Sequence, residues 1–221
     1  MKVLITGSSK GIGKAVSERF LSLGYEVHGL DRLPSSIQHP NYIHHQCDVK
    51  DASSLPTLEG IEILFINAGT QNEEDVNNNF YGAVNTMEKY GYLPSIKSIL
   101  FNASASARSG QELPLYAASK GAVVTYMKNI AIKLAPKGVT VNSISLGGVL
   151  TDSNDPVIKD KNLWDQIMKV TPMKKWMTVD EVSDWVLFMT TKNKSMSGQD
   201  ILIDNGEHDL NSTFVWPEEQ R

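Results

Sequence analysis

The chain has 221 residues, 41% of them hydrophobic and 21% charged, with 21 basic against 25 acidic side chains and a net charge of −4. That size and balance fit one α/β domain with a substantial core. No basic stripe for nucleic acid and no polybasic segment for a membrane surface interrupts the mixed charge pattern.

Cys47 is the only cysteine, which excludes an intramolecular disulfide and leads us to expect a reducing, cytoplasmic setting. The apolar start of the chain stops at Thr6-Gly7, too short for a signal-peptide core. No stretch approaches the ~18 apolar residues of a membrane span.

In chain order, residues 2–6 read as a strand around the apolar run Val3-Leu4-Ile5, the mark of burial on both faces. Ile12, Val16, Phe20 and Leu23 then recur at helical spacing until Gly24. Residues 26–30 and 41–45 read as strands, 61–66 as a strong fourth ending in Asn67-Ala68-Gly69, and 96–102 as the fifth. Val76, Phe80, Val84 and Met87 mark a helix between the last two. From 116 to 135, Val123, Met127, Ile130, Ala131 and Leu134 share one apolar face. Residues 139–144 and 199–203 supply strands six and seven, with helices expected near 156–170 and 179–190. Alternating strands and helices imply a doubly wound, parallel sheet of about seven strands with helices on both faces, a Rossmann-like single domain. Its ligand site is expected at the carboxyl ends of the strands. We take residues 1–206 as the domain and 207–221 as a tail that packs on a partner subunit or frays.

The spacing Gly7-x-x-x-Gly11-x-Gly13 follows the first strand and opens a helix, which is the context of a phosphate-cradling turn. Glycines let the backbone approach a pyrophosphate, and the helix N-terminus supplies N–H groups and a positive dipole. The alternative is a plain glycine-rich αβ loop. Asp31 ends the second strand, 24 residues after Gly7, where a carboxylate bonds ribose hydroxyls and repels a 2′-phosphate. That favours NAD(H), unless Asp31 is only a turn residue. Lys10 and Arg32 flank the position and leave NADP(H) open.

Tyr116 and Lys120 lie one helical turn apart and share a face. A neighbouring ammonium stabilises phenolate and lowers a tyrosine pKa from about 10, making the phenol a general acid or base near neutral pH. Alone, Tyr-x-x-x-Lys usually means an exposed helix pair. Here it follows a strand leading into Asn102-Ala103-Ser104, whose hydroxyl can bond a substrate oxygen beside the tyrosine.

Taken together, these residues resemble the short-chain dehydrogenase/reductase family, in its single-domain branch that includes 3-oxoacyl-carrier-protein reductases, over residues 2–206. Thr6-Gly7-Ser8-Ser9-Lys10-Gly11-Ile12-Gly13 is similar to the family's T-G-x-x-x-G-I-G, and Tyr116-Ala117-Ala118-Ser119-Lys120 to its active-site signature. Asp48-Val49 resembles the pair that contacts adenine, Asn67-Ala68-Gly69 the N-A-G turn, and Asn79-Phe80-Tyr81-Gly82 the N-x-x-G of the central helix. Val149 and Thr151 keep the pattern of the nicotinamide loop, while Gly198-Gln199-Asp200 and Asp204-Asn205-Gly206 resemble the terminal elements.

The resemblance implies an NAD(P)-dependent oxidoreductase that interconverts a carbonyl and a secondary alcohol. Ser104 and Tyr116 would orient the carbonyl, Lys120 would bind the ribose and tune Tyr116, and the Asn79 carbonyl would hold a relay water. It also implies a homo-oligomer, a dimer or tetramer packed through the helices around Asn79 and Tyr116. Substrates in view are a 3-oxoacyl thioester, a sugar or a cyclic alcohol; no clustered Arg and Lys suggest acyl-carrier docking. The alternatives are a dinucleotide-binding regulator with little or no catalysis, and a sugar-nucleotide epimerase or dehydratase, which would need a longer chain.

Three departures stand out. Leu146-Gly147 replaces the family's Pro-Gly, which predicts a looser loop with its donors intact. The link from Asn67 to Asn79 is shorter than the family norm, which predicts a more open cleft rim. Ser104 sits one residue closer to Tyr116 than usual, with Ser106 as a rival on the same side of an extended strand. Glu73-Glu74-Asp75 is expected to decorate a helix N-terminus. His44, His45 and Cys47 lack the partners of a metal site, so no metal is expected. Trp164, Met168, Met173 and Trp176 fall where such proteins form a substrate lid, with helical core the alternative; Phe214-Val215-Trp216-Pro217 either frays or meets a neighbour.

Overall fold

The computed structural model describes residues 1–72, 75–110 and 113–210. The strands are β1 (Lys2–Thr6), β2 (Glu26–Asp31), β3 (Tyr42–Gln46), β4 (Ile61–Ile66), β5 (Ser98–Asn102), β6 (Thr140–Leu146) and β7 (Asp200–Ile203). All pair in parallel in one sheet, in the order β3-β2-β1-β4-β5-β6-β7. The strand order reverses between β1 and β4, and that switch point is where such sheets bind ligands.

Period-two alternation along the strands builds two apolar layers. Val3 and Ile5 of β1, with Ile63 and Phe65 of β4, face one side, where α1 (Gly11–Ser22) contributes Val16 and Phe20. On the same side α7 (Val179–Leu187) contributes Val182 and Val186. Leu4, Leu64 and Ile66 face the opposite layer, formed by Met87 and Tyr90 of α2 (Gly82–Tyr90). Val123, Met127 and Ile130 of the long helix α4 (Pro114–Leu134) complete it. Covered on both faces, the strands can be apolar without interruption.

The buried serines of β6 have partners. The Ser143 and Ser145 hydroxyls of β6 donate to Asp200 Oδ1 at 2.7 and 2.8 Å, which locks the edge strand β7 in register. Buried hydroxyls are tolerated because each is bonded.

The helix expected over 156–170 is interrupted, giving α5 (Asp155–Ile158) and α6 (Lys161–Val170). Asp160 breaks it: in extended conformation, its Oδ1 accepts from the N–H groups of Asn162 and Leu163 and starts a new helix. The helix through Asn79 begins as a π-helical segment, Val76–Tyr81, whose wider turn brings the Gly82 N–H to the Asn77 carbonyl. A short helix α3 (Ser106–Ser109) separates β5 from α4. No helix among the described residues is long and apolar enough to cross a membrane. The segment Phe214–Pro217 lies outside the described residues.

Candidate active site

A cleft of about 580 Å³ runs along the carboxyl ends of the strands. Of the residues singled out in the sequence, Gly7, Gly11, Ile12, Asp31, Asp48, Val49, Asn67, Ala68, Gly69, Ser104, Tyr116, Lys120, Val149 and Thr151 line it. Ser9, Gly13 and Asn79 stand behind its wall.

The glycine turn is held from several sides. Gly7 N–H donates to Leu30 O at 2.8 Å, and Ser9 N–H to Asp31 Oδ2 at 2.9 Å. Asp31 Oδ1 accepts from Leu33 N–H at 2.9 Å, so this carboxylate organises the turn as well as facing the cleft. Gly13 lets α1 approach closely: a Cβ there would fall 2.0 Å from the Gly7 carbonyl oxygen. Across the switch point, Thr6 Oγ1 accepts from the N–H groups of Asn67 and Ala68, both at 2.9 Å. Helix α1 has no side-chain cap and no acidic residue in its first turn, so its N-terminal N–H groups and dipole are left for an anion. This donor set fits a dinucleotide pyrophosphate, and Asp31, Lys10 and Arg32 line the cleft at that end. Cys47 also lines that end, but burial beside Asp48 and Asp31 pushes its thiol up to about 11, which makes it unreactive.

At the other end Tyr116 is half-buried in the first turn of α4 and Lys120 is fully enclosed one turn later. Lys120 Nζ lies 5.8 Å from the Tyr116 ring centroid and donates to the Asn102 carbonyl at 2.9 Å. Burial, offset by the charge of Asp75, lowers the Lys120 pKa to about 8. Ser104 is buried at the cleft wall, and its Oγ accepts the Ser106 N–H at 3.2 Å. Ser106 does not continue an extended strand, as its pattern suggested; it opens α3 and stays off the cleft wall, 3.0 Å from Ser104 Oγ. The chain must leave β5 to reach α4, and this helical turn makes the reversal.

Asn79 clamps the rim from behind. Its Oδ1 accepts Thr70 N–H at 2.8 Å, and its Nδ2 donates to Thr70 O and Ser119 Oγ, both at 3.0 Å. Asp75 stands at the N-terminus of the helical segment Val76–Tyr81, as expected, and is fully buried there. Its Oδ1 accepts from Asn72 N–H at 2.6 Å and Thr70 Oγ1 at 3.1 Å, while Oδ2 is buried without a hydrogen bond. Glu73 and Glu74 lie outside the described residues.

The loop after β6 is tied down despite Leu146 standing in place of proline. Gly147 N–H donates to Ile203 O at 3.0 Å, and Leu150 N–H to Met177 O at 2.8 Å. Gly148 lies against the Trp176 indole, where a Cβ would fall 2.0 Å from the ring. Trp176 itself lines the cleft and meets Trp164 edge-on at 5.2 Å, whereas α6 buries no residue and is not core. Met173 is 62% exposed. Glu207 and His208, immediately past the domain end expected at 206, also line the cleft. No motif signalled them, since only the turn after β7 brings them there.

A family model described as enoyl-(acyl carrier protein) reductase matches residues 7–208. The glucose 1-dehydrogenase of Gluconobacter oxydans is 30% identical over 93% of this chain and 91% of its own length. A 3-oxoacyl-acyl-carrier-protein reductase of Buchnera aphidicola is 25% identical over 91% of this chain and 95% of its own. Among solved structures, a short-chain dehydrogenase/reductase from Burkholderia thailandensis superposes with a TM-score of 0.86 at 24% identity, covering 95% of this chain and 93% of that one. ElxO with bound NADP gives a TM-score of 0.82 at 26% identity, covering 93% and 98%. A Brucella melitensis 3-oxoacyl-acyl-carrier-protein reductase with bound NAD gives 0.78 at 21%, covering 95% and 91%. The parallel sheet, the cleft at its switch point and these matches agree, and the chain belongs to the short-chain dehydrogenase/reductase family of oxidoreductases.

Proposed function

We propose that the enzyme interconverts a carbonyl compound and a secondary alcohol at the Tyr116 end of the cleft. The observation that carries this reading is the buried Lys120 ammonium, 5.8 Å from the ring of Tyr116, on the same cleft wall as Ser104. The glycine turn would hold a nicotinamide cofactor, which when bound would supply or take up the hydride. In reduction the Tyr116 hydroxyl donates its proton to the substrate oxygen, and in oxidation the phenolate takes it back. Ser104 Oγ–H donates a second hydrogen bond to the same oxygen, fixing its position. Lys120 stabilises the phenolate by its charge, and the Asn79 carbonyl serves the proton relay to solvent. The helices bearing Asn79 and Tyr116 expose Tyr81, Leu115 and Ile132, which supports a homo-oligomer packed through that face.

Asp75 acts through Lys120. Its carboxylate raises the lysine pKa against the burial that lowers it to about 8. Asp75→Asn removes that support, so Lys120 loses its proton at a lower pH than in the native enzyme. The alkaline limb of the kcat/KM profile should move acidward, and an unshifted limb would show that Asp75 does not govern Lys120.

For the cofactor we favour NAD(H), because the Asp31 carboxylate faces the cleft where a 2′-phosphate would lie. Fluorescence titration should give at least tenfold tighter binding of NADH than NADPH, and Asp31→Ser should shrink that ratio. The variant also forfeits the bonds to Ser9 and Leu33, worth about 1 kcal/mol each, so its Tm should fall. Tighter NADPH binding by the native protein would reverse this assignment.

A further inference from the structure

We propose that Glu207, His208 and Trp176 form a hydroxyl-recognition subsite, and that the substrate is a neutral polyhydroxylated carbonyl or alcohol of the sugar class. This rests on the catalytic reading above.

The sheet order places these residues. Asp31, Asp48 and Val49 follow β2 and β3 at one edge, and Glu207 and His208 follow β7 at the opposite edge. Five strand spacings separate β2 from β7, on the order of 24 Å. Both groups line the same cleft, with Tyr116 and Ser104 also on its wall. Glu207 and His208 therefore occupy the end away from the adenosine half.

Their polar atoms are arranged as a recognition set rather than as a surface. His208 Nδ1 lies 3.1 Å from Asp204 Oδ2, which also accepts the His208 backbone N–H at 2.7 Å. Asp204 is buried, and its carboxylate accepts from Nδ1–H, which leaves Nε2 as the ring's second polar atom. That Nε2 has no protein partner among the described residues, and His208 lines the cleft. Glu207 Oε2 accepts from Thr171 Oγ1 at 3.3 Å, and the half-buried carboxyl has its pKa raised, chiefly by desolvation. The Trp176 N–H is buried without a hydrogen bond of good geometry, yet close enough to Glu207 to favour its charged form. A buried indole donor, a carboxylate and an imidazole nitrogen lining one cleft match the donors and acceptors of vicinal hydroxyl groups.

Charge narrows the class. Among the described residues the lysine and arginine lining the cleft are Lys10, Arg32 and Lys120. The first two flank the glycine turn and Asp31, and Lys120 is buried and bonded to Asn102 O. A sugar acid or a phosphopantetheine thioester would bring negative charge toward Glu207 with no free cation to meet it. A neutral polyol carries no such penalty.

The test compares D-glucose, D-galactose, sorbitol and xylitol with D-gluconate, acetoacetyl-N-acetylcysteamine and cyclohexanol, using the matching form of NAD(H) or NADP(H). The expected result is highest kcat/KM on a neutral sugar or alditol. Glu207→Gln should raise KM for that substrate at least tenfold with kcat changed less than threefold, and lower its preference over cyclohexanol, while Tm and NADH affinity hold. A site built around hydroxyl groups rejects analogues lacking them by large factors. Preference for gluconate or the thioester, or an unaltered sugar KM in Glu207→Gln, would overturn the proposal. Binding of the same panel to the enzyme–NADH complex, followed by tryptophan fluorescence, separates the two readings. Sugar binding without turnover refutes the catalytic reading and keeps the subsite; turnover of cyclohexanol with no sugar binding does the reverse.

Discussion

Tyr116→Phe should lower kcat by about 10²–10⁴-fold while leaving the NADH dissociation constant within a few-fold of native. The phenol hydroxyl is the group proposed to carry the proton, and phenylalanine keeps the ring that packs at the start of α4 beside Lys120. The glycine turn, Asp31 and the uncapped N-terminus of α1 are untouched, so the cofactor half of the cleft stays as it is. Circular dichroism and Tm should match the native enzyme because Tyr116 is half-buried and leaves no cavity. Native-like turnover in this variant would remove Tyr116 from the chemistry. Native protein that binds NADH yet turns over nothing across a broad carbonyl and alcohol panel would instead indicate a dinucleotide-binding regulator.

Lys120→Met should lower kcat/KM by about 10²–10³-fold, the usual loss when a preorganised charge at a reaction centre is removed. Met fills the same volume but cannot stabilise phenolate or donate to Asn102 O. Unlike Tyr116→Phe, it should also weaken NADH binding, since the same ammonium is proposed to hold the ribose. Stability supplies an independent readout. Burial holds the folded Lys120 pKa near 8, below the ordinary 10.5. The fold therefore disfavours the cationic form, and the cost is fully present below pH 8 and disappears as pH rises to 10.5. Native stability attributable to this group should increase across that window, and the increase should be absent from Lys120→Met. Parallel stability curves for the two proteins would show that Lys120 is not held as a desolvated cation.

Much of this is legible in the sequence. A sheet covered on both faces favours continuous apolar runs, and Val3-Leu4-Ile5 and Ile63-Leu64-Phe65-Ile66 carry that mark plainly. The glycine spacing, Asp31 and the Tyr116–Lys120 pair were equally visible, because each is a local pattern tied to one turn or one helix face. Features set by distant packing were not. Asp75 reads as one of three acids at a helix start, and its burial against Thr70 has no mark in the local sequence. Ser106 looks extended until the reversal between β5 and α4 demands a helical turn. Glu207 and His208 sit in an unremarkable stretch, and the edge position of β7 alone carries them to the cleft. The rim set by Thr70, Asn79 and Asp75 likewise depends on contacts that no short motif encodes.

The central claim is hydride transfer between a nicotinamide cofactor in this cleft and a substrate carbon beside Tyr116. Reaction with NADH deuterated on both faces of C4, followed by mass spectrometry of the alcohol product, tests it most directly. One non-exchangeable deuterium on the carbinol carbon is the result expected, with none in the Tyr116→Phe variant over the same time. A product carrying only solvent-derived hydrogen at that carbon would contradict it.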